Sequence, residues 1–149
     1  MNIFVLNEDP LVAANLVPIK VCNKMALEAT QMLAVACHKF SLPMPHKKDG
    51  SEYSPKAHVN HPCTKWVCES KENMIWLTMH GIGLCLKHNE TYKKTPSQYN
   101  ALNEVLENLD RISYFGHTPF VMAMPDNFKE ENVINSYQAY IKTKPYYIV

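Results

Sequence analysis

A chain of 149 residues is long enough for one domain with its own hydrophobic core. With 46% apolar and 19% charged residues, it has the composition of a folded protein and not of a disordered one. A net charge of +1 lacks the basic excess usual for a duplex-binding domain, and no apolar run approaches the roughly 20 residues that span a bilayer.

The opening MNIFVLNEDP has no basic n-region and no long apolar h-region. A signal peptide is not expected, and the expected setting is cytoplasmic, without a membrane partner. Residues 2–6 read as a short extended apolar segment tucked into the core. Asp9-Pro10 is a cap followed by proline at the first helical position, which opens a short helix ending before Pro18. A long helix is then predicted from about Ile19 to His38. Residues 39–60 are rich in Pro, Ser, Gly and Lys and read as a long loop.

Pro62 to about His88 reads as a second long helix, with Asn60 or His61 near its cap. Thr95-Pro96-Ser97-Gln98 has the form of a capping box. The helix it opens carries Tyr99, Leu102, Val105, Leu106, Leu109 and Ile112 at helical spacing. An irregular stretch, SYFGHTPFVMAMPDN, precedes a last helix from about Lys129 to Lys142 that buries Val133, Ile134, Tyr137 and Ile141. The expected architecture is all-α: one compact domain over residues 1–149, a bundle of three to four main helices with a long loop and an ordered C-terminal coil.

Two helices carry polar residues where apolar ones are expected. The first long helix is apolar almost all round, yet Lys20, Lys24, Glu28 and Gln31 follow i, i+4, i+8, i+11 and share one stripe. Either the stripe faces solvent, or it lines a cleft in which the lysines meet phosphate and Glu28 acts as acid, base or acceptor. In the second, Val67, Ser70, Met74, Leu77, Gly81 and Leu84 form a seam that must be core. Beside it run Trp66, Glu69, Asn73, Trp76 and His80. Either the indoles are core residues with satisfied N–H groups, or Trp66 stacks on a base while Glu69 and Asn73 read its edge.

Five cysteines, Cys22, Cys37, Cys63, Cys68 and Cys85, sit mostly among apolar residues and read as reduced, buried thiols. The spacing of His58, His61 and Cys63 does not make a zinc site, so no metal is expected. Cys63 with His61 lacks an orienting third group for nucleophilic catalysis. Neither a P-loop nor G-x-G-x-x-G occurs, and no cofactor is expected.

The residues DP-x2-AA, then K-x3-K-M-x2-E-x2-Q-M-L, NHPC-x2-WV-x-ES-x2-N-x2-WL and TPF-x3-MPD together resemble a family of small tailed-phage proteins. That family is more faintly similar to the phage-type pyrimidine-dimer DNA glycosylases. The resemblance implies a small all-α protein that cuts a glycosidic bond through its N-terminal amine, with a Glu on the first long helix. Lys20 and Lys24 fall where those enzymes have DNA-contacting basic residues. His61 falls on a His opening the next long helix, and residues 137–147 match a Tyr- and Lys-rich C-terminus that lies near DNA. The position matching the catalytic Glu holds Val21, with Glu28 about two helical turns further on. Asn2 should block removal of Met1, leaving an amine on Met1 with no carboxylate nearby.

Three functions follow as expectations. One is an enzyme acting on a glycosidic bond in DNA or a nucleotide, with catalytic Glu28 and a binding set of Lys20, Lys24, Gln31, His61, Trp66, Glu69 and Asn73. Another is a non-catalytic, nucleotide-sequestering protein of anti-defence type. The third is an inhibitor of a host protein that docks through Phe115, Phe120 and Met122 to Met124. The expected partners are therefore a nucleotide or nucleic acid, or a host protein.

Overall fold

A computed structural model describes residues 1–112 and 116–147 of the chain. Six α-helices follow one another: α1 (Pro10–Leu16), α2 (Cys22–Lys39), α3 (Pro62–Val67), α4 (Lys71–Tyr92), α5 (Gln98–Asn108) and α6 (Val133–Ile141). Among the described residues there is no strand, only a single bridge between His46 and Glu52. The fold is all-α, as periodicity predicts.

Helix α2 lies at the centre because it has almost no polar face. Met32, Leu33, Ala36 and Cys37 are fully buried within it. Each large apolar side chain contributes about 1.5–3 kcal/mol of burial. Helix α4 packs against α2, α1 and α5. Its glycines set those approaches. A Cβ on Gly83 would come within 2.8 Å of the Ala14 Cβ, so α1 rests directly on the α4 backbone. A Cβ on Gly81 would meet the Leu102 methyls at 3.0 Å, where α5 crosses. The predicted seam from Val67 to Leu84 is buried throughout.

Local chemistry sets the helix ends, and four differ from expectation. The second long helix is broken: α3 stops at Val67, and Ser70 starts α4 by accepting from the Asn73 amide at 3.1 Å. A serine that caps in extended conformation outcompetes helix continuation there. The Thr95–Gln98 capping box does not form. The Thr95 hydroxyl donates to Asn89 Oδ1, and Ser97 makes no capping bond. Asn132 caps α6 three residues later than predicted, which leaves Val133 and Ile134 half-buried. Helix α4 runs to Tyr92 and ends on a left-handed Lys93, beyond the predicted His88. By contrast, Asp9 and His61 cap α1 and α3 as proline at the next position suggests.

Residues 2–6 are buried but not extended. Asn2 Oδ1 accepts from the amides of Ile3 (2.7 Å) and Phe4 (2.9 Å). Phe4 takes φ +41°, a conformation that costs a non-glycine residue about 1 kcal/mol or more. Asn2 Nδ2 also donates to Ala123 O at 2.8 Å. The second residue of the chain is thus tied to a coil far along the sequence.

Candidate functional site

The bend at Phe4 carries Met1 back onto α2. The Met1 α-amine stands 3.6 Å from Glu28 Oε1. Glu28 is the only carboxylate of α2, and only 9% of its surface is exposed. Its Oε1 has no hydrogen-bond partner. An isolated buried carboxylate is costly, and the ammonium supplies the countercharge that the apolar helix cannot. This overturns the expectation of an amine without a carboxylate. Position 21 holds Val, but Glu28, about two turns on, meets the amine because the N-terminal segment doubles back.

His61 completes the group. Its Nδ1 accepts from the Cys63 amide at 3.1 Å, which fixes the ring at the N-terminus of α3. The imidazole hydrogen-bonds to the Met1 backbone, and burial, followed by the Met1 ammonium and His58, pushes its pKa below the usual range. A ring that is already an acceptor at Nδ1 carries its proton at Nε2. The neighbouring Cys63 is no nucleophile: burial pushes its thiol up to about 12. All five cysteines are buried and free. Tyr146, in the C-terminal tail, packs edge-on against Phe4 at 6.5 Å, and the Glu28 charge reaches its phenol.

The remaining predicted residues are dispersed. Lys24 is exposed on α2. Lys20, also exposed, lines a cleft with Lys87 and Tyr146 at the end of α1. Gln31 faces a different cavity, beside Tyr53 and Gln98. The stripe predicted as one surface therefore divides, because Glu28 turns inward while the lysines stay in solvent.

On α3 and α4, several polar groups of the second stripe bond within the fold. The Asn73 amide donates to Trp66 O (2.8 Å) and Thr118 Oγ1 (2.6 Å) and accepts from the Thr118 amide (3.2 Å). Glu69 accepts from the Thr118 hydroxyl at 2.6 Å. These residues anchor the coil at Thr118. Trp66 is buried against Trp76, His117 and Phe120, with ring centroids 5.6–6.1 Å apart. Trp76 donates to Glu8 O, and His80 stacks on it at 4.9 Å. The Trp66 Nε1 has no acceptor.

The surface expected to dock a host protein is mostly packed. Met124 is buried, while Phe120, Met122 and Ala123 lean on the core. Phe115 lies outside the described residues. Among the described residues, no group of three or more His, Cys, Asp or Glu is placed to hold a metal ion. None of the helices there is long and apolar enough to cross a membrane. No family model, no curated protein and no solved structure matches the chain.

Proposed function

We propose that the protein cleaves a glycosidic bond in a nucleic acid, with the Met1 α-amine as nucleophile and Glu28 as its acid–base partner. The observation that carries this reading is the 3.6 Å approach of amine to buried carboxylate, with Glu28 Oε1 free of any hydrogen bond. Transfer of a proton from the ammonium to Glu28 creates a free amine and a carboxylic acid side by side. The amine attacks the anomeric carbon, and the base leaves with the bonding electron pair and takes up a proton. Glu28 protonates the ring oxygen, the sugar opens, and a protonated imine links Met1 to the sugar. Water then hydrolyses the imine, releasing the sugar aldehyde and regenerating the amine. His61 orients the terminus through the Met1 backbone and, being neutral, adds no charge that would compete for Glu28.

The chemistry is testable by trapping. Incubation with DNA bearing damaged or modified bases, followed by borohydride reduction, should give a covalent adduct on Met1 by intact mass. Glu28→Gln should form it far more slowly, and a Gly-Ser extension ahead of Met1 should leave Met1 without any. The absence of adduct and of abasic product on every substrate sinks the reading.

A further inference from the structure

We infer that a groove between α2, the long loop and the start of α5 holds the phosphate backbone of a single nucleic-acid strand. This rests on the glycosidase reading and names the form of substrate that reaches Glu28.

Two adjoining cavities, 450 and 720 Å³, share a wall made by Lys48, Ser97 and Gln98. Both volumes are in the range of built ligand sites, roughly 300–1,000 Å³. The first is bounded on α2 by Leu27 and Gln31, which lie on the same helix as Glu28, one and three residues from it in sequence. Lys47 and Lys48 come from the loop and Lys94 from the turn between α4 and α5. Asp49 is the one carboxylate among the lining residues, and its Oδ1 is already bound to the Ser51 amide and hydroxyl.

The lysines are presented on a fixed frame. His46 holds the Glu104 carboxylate through both its amide (3.2 Å) and its ring (2.8 Å), which fastens the loop to α5. The Tyr53 ring is buried against Ala34 and Ala101, and Lys47 Nζ lies 5.7 Å from its centroid. His88 bonds the Lys94 carbonyl at 2.9 Å and fixes the turn. Three lysines from two separate segments, spread across contiguous cavities, match a chain of phosphates better than a single phosphate.

Gln98 Oε1 supplies the second, independent indication. It is shut off from solvent and has no hydrogen-bond partner, but its residue lines both cavities, so a turn of the side amide would present the acceptor to them. An orphaned acceptor suits the N–H of a nucleobase, a donor that phosphate lacks. The side amides of Gln31, Asn23 and Asn100 extend the same polar wall. Backbone charge and base-edge donors together make the occupant a single strand and not a polyacidic peptide.

Fluorescence anisotropy with a short labelled oligothymidylate, in parallel with a duplex and a polyglutamate peptide, tests the inference. The single strand should bind best, with log K falling against log salt at a slope of about −2, from roughly 0.7 per phosphate contact at three lysines. Exchanging Lys47, Lys48 and Lys94 for Gln should weaken binding at least about tenfold and flatten that slope, with unchanged melting temperature. Gln98→Leu should lower affinity while leaving the slope intact. Absence of strand binding in the wild type, equal binding by the triple-Gln chain, or preference for the peptide overturns the inference. Strand binding without any borohydride adduct would refute the glycosidase reading alone. Adduct formation that is indifferent to the three lysines would refute the groove alone.

Discussion

Two polar stripes on apolar helices look alike in the sequence, yet the fold treats them in opposite ways. Around Asn73, every polar group of the amide finds a partner, on the Trp66 carbonyl of α3 and on Thr118 of one coil. Around Glu28, a buried oxygen has no hydrogen bond, and its countercharge is 3.6 Å away. A saturated network rigidifies, whereas an unsaturated buried carboxylate keeps capacity for a proton or a ligand. Glu28 thus keeps a free acceptor, whereas the Asn73 amide has none left.

Four experiments break or sharpen that contrast. The largest effect is expected at Glu28. Glu28→Gln should lower the single-turnover rate of adduct formation about 10²–10⁴-fold, while urea unfolding shows an intact fold. Asn73→Ala should instead destabilise the protein by about 2–3 kcal/mol, read by urea unfolding, because the Thr118 amide and the Trp66 carbonyl lose their partner. If Asn73→Ala abolishes ligand binding with stability unchanged, the two regions have been assigned the wrong way round.

Acid sensitivity should arise mainly on the Asn73 side. Burial pushes His80 down to about 4, against an ordinary value of 6.5. Between those values the unfolded chain binds the extra proton, so stability is lost as pH falls through the window. The loss from pH 7 to pH 5 should be about 2 kcal/mol, followed by denaturant midpoints, and His80→Phe should flatten it. His61 is shifted the same way, by burial first and then by the Met1 ammonium. His46 is shifted upward by its bond to Glu104 and opposes both. The smallest effect is expected for Trp66→Phe. The indole N–H has no partner to lose, so the change should cost under about 1 kcal/mol in stability and leave strand affinity unaltered. A large loss of affinity would make Trp66 a ligand contact after all.

Much of the fold is legible locally. The all-α class follows from helical spacing, and the starts of α1 and α3 follow from Asp9-Pro10 and His61-Pro62. The break at Ser70 is less visible, because apolar periodicity runs straight through it and only the cap chemistry interrupts the backbone. The site was half legible. A single carboxylate in an otherwise apolar helix signals a buried partner, which singles out Glu28. Lys24, one turn away, is the obvious cation but remains in solvent.

The sequence by itself determined the helical class, most of the faces that the helices bury, and that Glu28 would be a lone acid within an apolar helix. Only the tertiary structure decided what that acid meets. The Met1 amine reaches it across 27 positions because Asn2 bends the backbone at Phe4 and clasps Ala123. Only the structure, too, turned Asn73 and Glu69 onto Thr118. Periodicity reports which face of a helix is covered, but pairing between distant segments depends on how the chain returns, and no local pattern carries that.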